Sequence, residues 1–403
     1  MSGLEDLKQR IDAIVDGHAA DLMDASRRIH GEPELGYEER HAHDLLTSLL
    51  ERAGLDVTRH AYGLETAFAA AAGHEGPTIA VLCEYDALPG VGHACGHNVI
   101  AAAGAGAGLA AAELAEELGG RVLVLGTPAE EGGGGKVLMA QQGAFDGVDA
   151  ALMVHPAGLD QSRFGAIAIQ QVDVTYRGRA AHAAAAPHAG RNALDAAVLG
   201  YMNVAALRQH IRPDERVHGI ITDGGEAPNV VPERAAARWY VRSPTTRGLT
   251  ALKKRFLACL EAGATAAGCE MTVEWLDPAY ADMVDNEVIV SSYVANAARV
   301  GRTVGEPSRE DVVVGSTDMG NISHIVPSIH PMIAVAPPNV PIHTQDFARF
   351  AGGPEGDRAA LDGAKMLAGT LVDLWTDPDL LARAKAEFDK ALADGRATGR
   401  ATI

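Results

Sequence analysis

The chain is short of basic residues, aromatics and cysteine. It carries 34 Lys and Arg against 53 Asp and Glu, a formal net charge of -19 over 403 residues. No basic block occurs anywhere. That balance argues against nucleic acid and anionic membrane as partners. Four cysteines, Cys83, Cys95, Cys259 and Cys269, are too few for a disulfide framework in a chain this long. Reduced thiols in a cytoplasm are therefore expected. Met1 to Arg10 lacks the apolar core of a signal peptide. The longest uncharged stretch, Val99 to Ala112, falls short of the ~20 apolar residues a membrane span needs. Its Ala and Gly content predicts a buried helix packed closely on a sheet.

At ~100–200 residues per domain, the length suggests two or three domains. Leu4 to His30 has helical periodicity. Thr78–Cys83, Arg121–Leu125 and Ala150–Val154 read as strands, with helices over Val99–Leu118 and Lys136–Gly143 between them. This alternation predicts an α/β domain with a mainly parallel sheet and helices on both faces. From about Ile167 the pattern becomes strand, helix, two strands, helix, strand. That order predicts an α+β insertion with an antiparallel sheet. The expected boundaries are 1–168 and 283–403 for the discontinuous first domain, and 169–282 for the insertion.

In such sheets ligands gather beyond the carboxyl ends of the strands. Thr78–Cys83 leads to Glu84 and Asp86. Arg121–Leu125 leads to Glu130 and Glu131, Ala150–Val154 to His155, and Met332–Ala336 precedes His343. Four such coincidences point to one site. Cys95-Gly96-His97 adds a thiol and an imidazole in a glycine-rich turn. Alone, that pair reads as a small buried hydrophobe and a helix-capping residue; beside the other clusters it reads as a metal site. Of two adjacent carboxylates, Glu130 and Glu131, one can hold metal while the other takes a proton from water. Gly132–Gly135 then Lys136 is superficially like a phosphate loop. Val137 follows the lysine and two acids precede the glycines, so nucleotide binding is rejected. In the insertion, His182 follows a strand, Asn229 sits in a turn and Arg242 ends a strand, where its planar fork could clamp a carboxylate.

These motifs resemble the M20 metallopeptidase family, and most of all its amidohydrolase branch. They run in order over nearly the whole chain: Arg28–Gly36, Glu84–Gly90, Ala94–Asn98, Gly126–Glu131, His155-Pro156, Gly315–Asn321 and His343-Thr344. Within the branch they are most like the p-aminobenzoyl-glutamate hydrolase B-subunit and aminoacylase-1-like-2 group. The resemblance implies a two-metal hydrolase domain and an inserted lid domain that dimerises. It implies Cys95, His97, Glu131, His155 and His343 as ligands of two divalent ions, Zn or Mn, with Co or Ni as alternatives. Cys95 would bridge them. Glu130 would be the general base, and Asp86 would orient a metal-bound histidine. His182 would stabilise the oxyanion, with Asn229 and Arg242 holding substrate. Glu84 stands where many members have the histidine of His-X-Asp, and Asn98 where the branch often has Asp.

The expected activity is hydrolysis of the amide of N-acyl or N-aroyl amino acids by activated water. The alternatives are a dipeptidase acting on unblocked dipeptides, and a non-catalytic binding subunit on the same fold. The expected partners are a small-molecule substrate and a second copy of the chain, bound through the lid domain.

Overall fold

The computed structural model describes residues 2–306 and 314–403. They form two compact units, Met1–Gly165 with Met283–Ala401, and Ala166–Asp282 with Thr402–Ile403.

The first unit is built on a six-stranded sheet in the order Asp56–Arg59, Phe68–Ala72, Arg121–Gly126, Thr78–Cys83, Ala150–Leu152, Ser328–Ile329. The last four strands run parallel. The first two are antiparallel, so the sheet is mixed. Phe68–Ala72 is mostly alanine, with no apolar alternation to mark it as a strand. Thr78–Cys83 is buried along its whole length, as a central parallel strand covered on both faces must be.

The helix His97–Leu118 packs on this sheet, with Pro354–Thr376 beside it. Its small residues are demanded by distance. A Cβ on Gly104 would lie 2.6 Å from the Leu82 carbonyl oxygen, and one on Gly108 would lie 2.2 Å from Val124 Cγ2. It is the one described helix long and apolar enough to cross a membrane, and it lies buried in this core. The stretch Leu4 to His30 is two helices, Ser2–Gly17 and Ala19–Gly31, with a break at His18.

The second unit is a four-stranded antiparallel sheet in the order Glu270–Tyr280, Ala168–Arg177, Arg234–Ser243, Arg216–Asp223. Ala168–Arg177 alternates buried and half-buried residues, the signature of a sheet covered on one face. The helices Ala193–Arg208 and Thr246–Ala267 share its core with Trp239 and Phe256. The fold is thus α/β with an inserted antiparallel-sheet unit.

Candidate metal centre

Chain ends of the parallel strands supply most of the site. Glu84 and Asp86 follow Thr78–Cys83, and Glu130 and Glu131 follow Arg121–Gly126. His97 is the first residue of its helix, entered through Gly96 in the left-handed region at φ 80°. The expected placement of His155 just after a strand needs correction. The preceding strand stops at Leu152, and His155 opens a second short strand, His155–Ala157, paired in parallel with Met332–Ala334. His343 lies in the loop before Gln345–Ala351, its backbone N–H bonded to the Ala94 carbonyl at 2.8 Å. Ala129 and His343 both have left-handed backbones, with φ of 56° and 65°. Non-glycine residues hold that conformation at a cost of ~1–3 kcal/mol and cluster at functional sites.

The side chains converge as two triples that share Cys95. Cys95, His97 and His155 form one, and Cys95, Glu131 and His343 the other; within each, the ligand atoms lie within 4.8 Å of one another. Cys95 Sγ is 3.4 Å from His155 Nε2 and 3.3 Å from His343 Nε2. His343 Nε2 is 3.3 Å from Glu131 Oε1. His97 Nδ1 is 2.9 Å from Asp86 Oδ1, and His155 Nδ1 is 2.8 Å from the Pro156 carbonyl. With Nδ1–H donating in both, Nε2 is the ring nitrogen that each turns to the cluster. Glu130 joins His97 and Glu131 in a third grouping.

A divalent cation fits this donor set. His97 Nε2 and Glu131 Oε1 are buried without hydrogen-bond partners. Burial pushes the Cys95 thiol well up, and the Glu131 carboxylate adds to this. Burial likewise raises the Glu130 carboxyl well above its usual range, with Glu84, Glu131 and Asp318 adding repulsion. Burial holds His155 neutral, at about 4, as a metal ligand must be. Only a nearby cation lets a thiolate and these carboxylates coexist in so dry a place.

Glu84 lies outside both triples. Its Oε1 is 2.5 Å from Lys136 Nζ, which is also 2.6 Å from Asp318 Oδ1, and all three side chains are fully buried. Burial opposes the Lys136 charge, but Asp318 and Glu84 hold it protonated. Burial lifts Asp318 to about 6. Glu84 stays below its usual range despite burial, because Lys136 and His97 both face it. The lysine after the glycines is therefore an internal counter-ion. Sequence reading passed over its role, because a lysine after four glycines reads as a surface or phosphate-binding residue. His330 was also missed. It is fully buried and stacks on His155 at 5.4 Å between ring centroids. Asn98 Nδ2 donates to Ser26 Oγ and the Ala351 carbonyl, at 2.8 and 2.9 Å.

The remaining residues lie in the second unit. His182 is exposed, and its Nδ1 accepts the N–H groups of Ala184 and Ala185 at 3.3 and 3.1 Å. That places the proton on Nε2, leaving it a donor. The Ala183 N–H donates to the Asn229 carbonyl at 2.9 Å, tying the two loops together. Arg242 is half-buried over the Tyr240 ring, and no carboxylate among the described residues pairs with it.

The sequence profile described as peptidase family M20/M25/M40 matches residues 80–372. The Xaa-Arg dipeptidase of Mus musculus is 41% identical over 96% of this chain and 93% of its own length. The B-subunit of the p-aminobenzoyl-glutamate hydrolase of Escherichia coli K12 is 30% identical over 96% of each chain. A crystal structure from Bacillus subtilis, described as a dinuclear metal-binding peptidase of the M20 family, superposes with a TM-score of 0.67. It is 19% identical and covers 89% of this chain and 99% of its own, a likeness of fold. A match over more than two thirds of the sequence, around a paired Cys/His/Glu centre, carries one conclusion: the chain belongs to peptidase family M20/M25/M40, in its amidohydrolase branch, and is a metal-dependent hydrolase of amide bonds.

Proposed function

We propose that the chain is a dipeptidase that cleaves unblocked dipeptides with a basic C-terminal residue. Sequence alone puts N-acyl amino acids first. The 41% identity to an Xaa-Arg dipeptidase, over nearly the full length of both chains, moves the dipeptide reading ahead of them. The 30% identity to one chain of a p-aminobenzoyl-glutamate hydrolase keeps N-aroyl amino acids as the second reading.

The observation that carries hydrolysis is the sharing of Cys95 by two ligand triples with Glu130 at their edge. Two divalent ions, Zn or Mn, are assigned to these triples. When bound, they would polarise the scissile carbonyl and acidify the attacking water. Glu130 takes the proton from that water as oxygen bonds to the carbonyl carbon. It then hands the proton to the leaving nitrogen as the C–N bond breaks, so one carboxyl serves both steps. Asp86 holds His97 through its 2.9 Å bond. His182 is assigned to the developing oxyanion, which its Nε2–H donor suits. Arg242, with no internal carboxylate among the described residues, is assigned to the substrate's C-terminal carboxylate, and Asn229 to substrate positioning. The second unit is assigned the roles of lid and dimer surface. In support, Arg216–Asp223 is a sheet edge with Ile220 64% exposed, and Met202 on the helix Ala193–Arg208 is 60% exposed.

The test sets Ala-Arg and Ala-Lys against Ala-Ala, N-acetyl-arginine and p-aminobenzoyl-glutamate. Preferred turnover of the basic dipeptides is expected. Turnover of the blocked substrates alone would overturn the dipeptide reading. Glu130→Gln should keep its metal content and lose turnover; an active variant would remove Glu130 from its role.

A further inference from the structure

Glu39 is fully buried yet plays no part in the metal centre. It occupies the N-cap position of the helix Arg40–Arg52, but its side chain makes no capping bond. That work is done by Glu34, whose two oxygens accept the His41 and Ala42 N–H groups at 2.9 and 3.1 Å. The Glu39 carboxylate turns inward instead. Its Oε1 accepts the Ala129 N–H at 2.8 Å, and its Oε2 accepts the Thr66 hydroxyl at 2.8 Å. Thr66 is held in turn, its carbonyl accepting the Tyr85 hydroxyl at 2.5 Å.

Ala129 is the residue before Glu130 and has φ of 56°. On the other side of Glu130, the Glu131 N–H donates to Asp86 Oδ2 at 2.9 Å. Glu130 thus sits between two backbone amides, each pinned by a different buried carboxylate. The need for pins is plain, because four glycines follow directly after Glu131. Left free, they would let the segment sample many conformations. Asp86 does double duty on His97, whereas Glu39 touches no ligand and ties the Ala129 amide to Thr66.

We propose that Glu39 is a positioning residue for Glu130, fixing the left-handed turn at Ala129 that aims the Glu130 carboxylate. The inference rests on the assignment of Glu130 as the base. What matters is an acceptor of the right length, since either a carboxylate or an amide oxygen can take the Ala129 N–H. Glu39→Gln keeps that length without the charge; Glu39→Asp keeps the charge and is one methylene short.

The experiment compares these two variants, loaded with the same metal, in kcat, KM and metal content. It adds hydrogen exchange at the Ala129 amide. Glu39→Gln should keep kcat within about threefold and leave the Ala129 amide protected. Glu39→Asp should lose kcat by about 100-fold, the scale of a 1 Å misplacement, with KM and metal content little changed and the amide exposed. Equal loss in both variants, or an active Glu39→Asp, would overturn the proposal. So would an Asp variant that loses its metal together with its activity. The Glu130 assignment fails separately, through an active Glu130→Gln. The Ala129 exchange comparison still decides the pin in that case.

Discussion

Replacing Lys136 by Met removes a cation that touches two fully buried carboxylates. The methionine fills a similar volume, so little is lost in packing. What is lost is the ammonium 2.5 Å from Glu84 and 2.6 Å from Asp318. Removing one partner of a buried ion pair costs about 3–5 kcal/mol, because an unpaired charge stays in a dry interior. Asp318, already lifted to about 6, would then hold a proton at neutral pH, which trims the cost towards the lower figure. Asp318 also accepts the Lys136 backbone N–H at 2.9 Å, and that bond survives the substitution. A loss near 3 kcal/mol corresponds to roughly 5 °C in the melting transition of a unit this size. Scanning calorimetry on wild type and variant at pH 7 measures it. Combining Lys136→Met with Glu84→Gln and Asp318→Asn should recover most of the loss, since a fully neutral network leaves no charge stranded. A shift under about 2 °C for the single variant would refute the reasoning, because it would mean that the carboxylates were never held as charges by this lysine.

Glu39 gives a pH prediction of opposite sense to the usual acid. Burial lifts its carboxyl from 4.5 to about 7, with Asp86 adding to the rise and the Thr66 and Ala129 hydrogen bonds opposing it. The folded value exceeds the unfolded one, so the stability it contributes is full below pH 4.5 and is lost as pH rises towards 7, about 3 kcal/mol in all. Glu39→Gln should remove this slope; parallel melting-versus-pH curves for variant and wild type would reject it. Binding of a divalent ion would displace protons from Cys95 and from His97, whose charge burial opposes and Asp86 and Cys95 favour. Calorimetric titration in two buffers of different ionisation heat should show proton release and affinity falling about tenfold per proton for each unit of acidification; binding without release would remove the thiolate from the ligand set. Gly108→Ala drives a Cβ to 2.2 Å from Val124 and should cost about 1–3 kcal/mol, read as a lowered melting temperature.

Candidate residues at strand ends are legible from sequence, because their polarity interrupts an apolar run. Asp86, Glu130 and Glu131 announce themselves this way and the Cys95–His97 turn only beside them, and the structure gathers Cys95, His97, Glu130 and Glu131 with His155 and His343. The supports were not legible. Glu39 opens a helix and reads as a cap, and only the fold shows Glu34 taking that work. Lys136 reads as part of a glycine loop, since its partners lie 52 residues upstream and 182 downstream. The antiparallel strand Phe68–Ala72 escapes for a different reason. An alanine run favours a helix by propensity, and only its neighbours in the sheet override that preference.

The unequal depth of the two ligand triples has a kinetic consequence. Cys95, His97 and His155 are all buried, and His97 begins a helix enclosed along most of its length. Glu131 is only half-buried, and the His343 side chain is 48% exposed on a proline-bounded loop. An ion held by Cys95, Glu131 and His343 can leave through a shift of that loop alone. An ion held by the inner triple is trapped until the helix and strand ends part, which is an opening of the core itself. Chelation should therefore empty the centre in two phases, a fast outer loss and a slow inner one. Between them lies a half-loaded protein with a lifetime long enough to isolate.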